Sequence, residues 1–187
     1  MDEEKNVNTE GGEKPDTLKE VISWIKVVLA AVAISLFINY VVIVNAAVPS
    51  GSMRETIPEP SRLVAFRLAY LFSSPQRFDV IVFRFPDNES VLHVKRIIGM
   101  PGEQVDIIDG QVFINGSAEP LDDSFLLETP NPGRNQQFFV PEGHFFMMGD
   151  NRNDSHDSRT WINSFLPEGN ILGRAVFTYF PRLGLIR

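Results

Sequence analysis

The chain has 187 residues, 43% of them hydrophobic and 22% charged, with a formal net charge of −7 and no cysteine. That length allows one domain with a real hydrophobic core, plus a tail or an anchor. The acidic balance argues against nucleic acid as a partner, and the lack of cysteine removes disulfides, thiolate zinc sites and a cysteine nucleophile together.

Residues 1–21 are acidic and polar, with a Gly-Gly pair and a proline. They cannot bury enough apolar surface to offset the entropy of ordering, so a disordered tail is expected there. From 22 to 47 only Lys26 is charged, and the run from Val27 to Val44 is apolar apart from Ser35, Asn39 and Tyr40. About 20 such residues cross a bilayer as a helix, and a transmembrane helix is predicted over 22–47. Trp24 stands where an interfacial aromatic would sit, and Lys26 can snorkel to the headgroups. Val44-Asn45-Ala46 resembles a small-residue cleavage site, but the apolar run exceeds the roughly 7–15 residues of a cleavable signal. A buried core helix would show a polar face. Lys5, Lys14, Lys19 and Lys26 precede the span and favour a cytoplasmic N-terminus.

After Val48 the pattern changes to short runs rich in Val, Ile and Phe, cut by Pro, Gly, Asn and Asp. "RLVAFRL", "DVIVFRF", "SVLHVKRIIG", "EQVDII", "QVFI", "QQFFV", "HFFMMG" and "ILGRAVFTYF" all predict strands. Asp109-Gly110 between two of them predicts a two-residue hairpin turn. Residues 117–136, with Pro120, Pro130, Pro132 and Gly133, read as an extended loop, and no segment after residue 60 has a long helical period. Residues 48–187 are therefore expected to form a mostly β domain, with strand spacing suited to a closed or folded-over antiparallel sheet.

Three clusters are candidates for chemistry. "VPSGSMRET" (Val48–Thr56) places Ser50 and Ser52 just beyond the apolar run. A serine nucleophile needs a base, because the free hydroxyl is nearly unreactive at neutral pH. His93, His144 and His156 are the imidazoles available, and a triad through His156 and Asp157 is conceivable, although the nucleophile elbow G-x-S-x-G is absent. Ser23 and Lys26 have Ser-x-x-Lys spacing, but at the membrane edge and without the accompanying motifs. The alternative base is Lys95, which interrupts a strand of Val, Leu and Ile and shares a face with Val91, His93 and Ile97. Burial of such a lysine lowers its pKa until it can accept a proton, whereas a solvated strand would leave Lys95 and Arg96 as ordinary surface cations. The third cluster, "GDNRNDSHDSR" (Gly149–Arg159), fails as a calcium loop at Arg152 and Ser155. It reads either as an exposed turn-rich loop or as a polar platform in which Arg152 or Arg159 pairs with Asp150, Asp154 or Asp157.

Taken in order, these clusters resemble the type I signal peptidases (leader peptidases) in the short single-anchor form seen in Gram-positive bacteria. An anchor leads into "PSGSM", followed by "RFDVIVF", "VKRIIGMPGE", "GDNRNDSHDSR" and "GRAVFTYFP". The resemblance implies a Ser/Lys dyad serine protease in which Ser52 is the nucleophile and Lys95 the general base. It implies that Ser50 helps bind the oxyanion, that Ser155 orients the lysine, that Asp157 supports the site and that Arg159 is its ion-pair partner. Asp150 and Arg152 match structural positions, and Met53 a methionine packed near the site. No metal or organic cofactor is implied. The implied partners are secretory preproteins and the bilayer, with the enzyme domain on the extracytoplasmic face of the cell membrane and residues 1–21 in the cytoplasm. Two departures stand out. Glu55 occupies a position where the family usually has proline, and Phe78 replaces the glycine of an Arg-Gly-Asp turn. A tethered β-domain that has lost catalysis would share the architecture but would be expected to lack the serine or the lysine, and a Ser/Lys protease acting on itself or on a regulator would share the dyad but would be expected to carry a DNA-binding or partner domain where this chain has an anchor.

Overall fold

The computed structural model of the chain describes residues 17–186, and the chain divides into two units after Phe37. The first contains α1 (Thr17–Phe37), none of whose residues is buried. A helix satisfies its own backbone polar groups, which is what a bilayer interior demands. With the π-helical turn Ile38–Val42, the apolar run makes a candidate membrane span of 26 residues, Thr17–Val42. This N-terminal apolar helix supports membrane anchoring. It also differs from expectation at both ends. Residues 17–21, assigned to the tail, are already helical, while the rest of the expected tail, residues 1–16, lies outside the described residues. At the other end the predicted helix over 22–47 is corrected, because residues 43–48 are a strand, β1 (Ile43–Val48). The local reason is a change of period: Val44, Ala46 and Val48 are buried while Asn45 and Ala47 are exposed. Alternate burial is the signature of a half-buried strand.

The second unit is mostly antiparallel β, as the sequence pattern implies. β2 (Ser61–Phe66), β3 (Val80–Phe85), β4 (Asn88–Gly99), β8 (His144–Met148), β9 (Leu166–Pro167) and β10 (Ile171–Phe180) join β1 in one sheet, in the order β1-β2-β10-β3-β4-β8-β9. A short β11 (Gly184–Leu185) pairs with β10. A second sheet has the order β6-β5-β7, from β5 (Gln104–Ile108), β6 (Gln111–Ile114) and β7 (Gln136–Phe139). The Asp109-Gly110 hairpin forms as expected. Both residues have positive φ, 51° and 83°, and Ile108 faces Gln111 across the turn. Positive φ at both central residues is what a two-residue turn matched to strand twist requires.

The large sheet folds over itself rather than closing. One apolar cluster joins Val44, Ala46 and Val48 of β1 to Leu63, Val82 and Val94, so the first strand packs back over the middle of the sheet. A second cluster on the other side holds Ile81, Phe83, Ile97, Met147 and Trp161. β4 is paired with β3 from Asn88 to Arg96, but β8 pairs only with Arg96, Ile97 and Gly99. Among the described residues, the second edge of β4 from residue 88 to 95 therefore has no strand partner. This open edge faces β1 and the turn that follows it.

Candidate active site

β1 ends at Val48, and Gly51–Met53 forms a single tight helical turn carrying Ser52. Ser52 and Met53 are buried there, while Ser50 remains exposed. The turn is held from the opposite side of the fold by residues 149–151. The Asn151 backbone N–H donates to the Ser52 carbonyl at 3.0 Å, and Asn151 Nδ2 donates to the Gly51 carbonyl, also at 3.0 Å. The Asp150 N–H points at Met53 Sδ, 3.4 Å away. Gly149 allows this approach, since a Cβ at that position would collide with the Ser52 carbonyl oxygen and with Ser155 Oγ.

Lys95 reaches Ser52 from β4. It lies opposite Ile81 of β3 and is only 4% exposed. Its Nζ donates to Ser52 Oγ, so the two residues singled out in the sequence are brought into direct contact. Burial pulls the Lys95 pKa from 10.5 down to about 8, against the opposing pull of Asp157 and Asp150, with the Arg159 charge adding to the fall. Desolvation disfavours the charged form of an amine, which is why burial comes first among the causes. The solvated-strand alternative for Lys95 is thereby excluded.

Asp157 is fully buried, and its carboxylate is already engaged. Arg159 approaches it in a two-pronged arrangement, Nε to Oδ1 and Nη2 to Oδ2, both at 2.8 Å. The Gly149 N–H donates to Oδ2 at 3.0 Å. Burial alone would raise the pKa of Asp157. The Arg159 hydrogen bonds and charge, together with the Gly149 N–H and the Ser155 hydroxyl, outweigh it and leave the carboxyl below its usual range. Ser155 Oγ is itself buried without a partner of good hydrogen-bond geometry, beside the Ser52 backbone.

Of the pairings open in the sequence, Arg159 with Asp157 forms. Arg152 instead binds Asp123 in the long loop, at 2.6 and 3.0 Å. Asp150 is taken by Arg96, through Nε at 2.8 Å and Nη2 at 2.7 Å. Three contributors escaped the sequence reading: Asn151, the Arg96–Asp150 pair and Asp123. The motif "GDN" was visible, but its partners lie far away in the chain. The Glu55 departure has a use of its own, since its carboxylate accepts the Leu127 N–H at 2.7 Å and, with Arg54 bound to Glu128 at 2.9 Å, ties the 123–128 segment to the serine turn. Phe78 takes the conformation a glycine would take, with φ 72°, so the turn keeps its path.

The histidines do not contact the serine hydroxyl. His144 Nδ1 meets the Glu142 carbonyl. His93 stacks on Phe85 with centroids 4.3 Å apart, and burial, then the charges of Lys95 and His156, hold its pKa down at about 4. A cavity of about 430 Å³ opens between residues 47–52 and residues 91–95, with Asp154 and His156 on its wall. Among the described residues, no group of three or more His, Asp or Glu is arranged to hold a metal ion.

A β domain behind an apolar helix, with a buried serine–lysine pair on the wall of an open-edged cleft, defines a class of anchored proteins with a base-paired serine. Comparison with known proteins narrows it. Residues 21–180 match the family described as signal peptidase, peptidase S26. A probable signal peptidase I-1 of Synechocystis is 37% identical over 164 residues, 84% of this chain and 81% of that protein. Signal peptidase I T of Bacillus subtilis is 32% identical over 188 residues, 97% of this chain and 96% of its own. A crystal structure of a signal peptidase I from Enterococcus faecalis aligns with TM-score 0.45 and 33% identity, covering 55% of this chain and 97% of that one. The chain belongs to the signal peptidase family, peptidase S26, and this membership supports signal peptidase I activity.

Proposed function

We propose that this protein is a membrane-bound signal peptidase that removes N-terminal signal peptides from secreted precursors after small residues of the Ala-x-Ala type. The observation that carries the reading is the Lys95–Ser52 hydrogen bond inside a buried setting that lowers the lysine pKa. Neutral Lys95 takes the Ser52 proton as Oγ bonds to the scissile carbonyl carbon. The Ser52 N–H and the Ser50 hydroxyl receive the oxyanion, an arrangement in which one donor contributes on the order of 3 kcal/mol. Collapse breaks the C–N bond, and Lys95 returns its proton to the leaving amine, which is the N-terminus of the mature protein. A water deprotonated by Lys95 then opens the acyl ester and regenerates Ser52. Ser155, whose hydroxyl has no well-aligned partner, is available to orient the Lys95 ammonium. Asp157 and Arg159 fix the loop that carries Ser155.

The free edge of β4 from residue 88 to 95 suits an extended peptide that binds by strand addition, and Ala47, Val48, Val91, Leu92 and Val94 give the cleft an apolar lining for small side chains. With the anchor's N-terminus in the cytoplasm, the cleft lies on the extracytoplasmic face of the cell membrane, where a precursor held by its signal segment presents its cleavage site. The test is cleavage of an Ala-x-Ala precursor by the detergent-solubilised chain beside Ser52→Ala and Lys95→Ala, with all three histidines kept. Cutting after the final alanine by the native chain, and by neither variant, is expected. Retained activity in Lys95→Ala would overturn the dyad. A folded native chain that cuts nothing would overturn the peptidase reading.

A further inference from the structure

We infer that Asp154, His156 and His93 form the subsite for the middle residue of the Ala-x-Ala segment, and that they favour a cationic side chain there over an acidic one. The subsite requires the strand addition proposed above. The cavity of about 430 Å³ beside Ser52 has two unlike walls. On one side Val48 and Val94 belong to the apolar cluster that joins β1 to the sheet. On the other stand His93, Asp154 and His156. Small side chains suit the first wall and leave the second without a role.

The pleat of β4 decides which peptide residue meets which wall. Val94 lies opposite Val82, and both belong to the apolar cluster of Val48. His93 lies opposite Phe83 and Lys95 opposite Ile81, on the side of the second cluster. A peptide paired with the free edge of β4 continues this alternation, because directly opposite residues share a face. The two small residues of Ala-x-Ala are two apart and fall on one face, and the residue between them falls on the other. The Val48 side is closed over by β1 and fits the small pair. The His93 side is bounded by the exposed Asp154 and His156, so a long side chain has room there.

Two observations give that wall its preference. The first is a cluster of rings. His93 stacks on Phe85, and the His156 ring stands edge-on to the same phenylalanine, centroids 5.8 Å apart. Trp161 completes the cluster, 5.3 Å from Phe85 and 6.1 Å from His93. With its pKa held down at about 4, His93 adds an uncharged ring at neutral pH. A planar cation such as guanidinium stacks on rings of this kind. The second observation is an unspent carboxylate. Asp154 takes no part in the ion pairs of its own loop, which join Arg96 to Asp150, Arg152 to Asp123 and Arg159 to Asp157. Lys95 is the one cation lining the cavity, and in the proposed mechanism it works neutral. An arriving carboxylate therefore meets a like charge at Asp154, and an arriving cation meets an opposite one.

The experiment uses the full Ser52→Ala chain in detergent, so that binding is read without cleavage. Fluorescent Ala-x-Ala peptides that differ only at x, with Arg, Ser or Glu there, are titrated at about pH 9, where Lys95 is mostly uncharged. The Arg peptide should bind roughly tenfold more tightly than the Glu peptide, with Ser between them. Adding Asp154→Asn should cut the Arg-to-Glu ratio by about threefold or more, and adding His156→Ala should weaken the Arg peptide more than the Glu peptide. Both side chains are exposed, so neither change threatens the fold. Equal affinities for Arg and Glu, a preference unmoved by either change, or no binding at all would overturn the inference. Cleavage of the Ser peptide by the native chain is measured alongside. A native chain that cuts nothing, while Ser52→Ala keeps the Arg preference, would overturn the peptidase reading and leave the subsite standing as part of a peptide-binding groove.

Discussion

Lys95 and Arg96 are neighbours on β4 and are equally buried, 4% and 2% exposed, yet their surroundings treat them in opposite ways. Arg96 is surrounded by acceptors. Asp150 takes two of its N–H groups at 2.8 and 2.7 Å, the Phe78 carbonyl takes another at 2.7 Å, Thr56 is 3.2 Å away, and the guanidinium lies 4.3 Å from the centre of the Phe125 ring. Lys95 has one hydrogen-bond partner for its nitrogen among the described residues, the Ser52 hydroxyl. The carboxylate that would suit it best, Asp157, is occupied by Arg159. Successive residues of a strand face opposite sides, so a single step along the chain separates a cation that the fold surrounds with acceptors from one that it presses to give up its proton. The first cation builds the site, and the second is the base of the proposed mechanism.

The strongest way to break the comparison is Lys95→Met, which keeps the volume and removes the amine. Peptidase activity should fall by on the order of 10³-fold or more, by analogy with the loss of a base from other serine proteases. Stability should rise in the same variant, by about 1–3 kcal/mol at pH 7. The sign follows from the folded pKa of about 8 lying below the ordinary 10.5. Below pH 8 the folded state bears the full cost of a buried ammonium, and that cost fades as pH climbs towards 10.5. Denaturant unfolding of Lys95→Met and native chains at pH 7 and pH 10.5 checks it. An equal gain at both pH values would mean that the charge was not the cause.

Arg96→Met should behave in the opposite sense. It strands the Asp150 carboxylate, 1% exposed, and the loss of one partner of a buried pair costs about 3–5 kcal/mol. Activity should fall only as far as the serine turn loosens, because Asp150 and Asn151 clamp that turn. A large drop in thermal midpoint with a measurable residual kcat is the expected outcome.

Much of this contrast was legible in the sequence, and the remainder was not, for identifiable reasons. The interrupted strand "VLHVKRIIG" announced two cations on an apolar background, and the strand pattern placed Lys95 on one face and Arg96 on the other. Ser52, Lys95, Ser155 and Asp157 converge from three separate segments whose order was readable. Which aspartate each arginine would choose was not readable, since Arg96 and Asp150 are 54 residues apart and no local period links them. β1 was hidden for a different reason: "IVNAAV" continues an apolar run, and hydrophobicity alone does not separate the end of a helix from a buried strand. The loop attachments at Asp123, Leu127 and Glu128 depend on tertiary contact and leave no pattern in composition.

Asp157→Asn sharpens the comparison through pH. With native protein, kcat/KM should rise roughly tenfold per pH unit on the acid side and level off above about 8, because in the proposed mechanism only neutral Lys95 accepts the serine proton. Asp157 raises the lysine pKa and Arg159 lowers it. Removing the carboxylate takes away the first influence and leaves the second uncompensated. The acid limb of the profile should therefore move to lower pH, even as the plateau falls through loss of the Gly149 and Arg159 contacts. A limb that stays in place would show that Lys95 does not set it.

The smallest effect is expected at Phe78, which tests whether the arginine side of the contrast depends on a strained backbone. Its φ of 72° costs a residue with a Cβ about 1–2 kcal/mol, and Phe78→Gly would relieve that. The same change deletes an edge-to-face contact with Phe125, centroids 5.5 Å apart, worth about 0.5–1.5 kcal/mol beyond the apolar area lost with it. It also frees the unfolded chain, by roughly 0.5–1 kcal/mol. The losses exceed the gain, so a net destabilisation of about 1 kcal/mol is expected. Activity should be unchanged, because glycine keeps the turn and the Phe78 carbonyl that receives Arg96. If Phe78→Gly were instead more stable than the native chain, the phenylalanine would be a tolerated strain, and its ring would not be needed to hold Phe125 against Arg96.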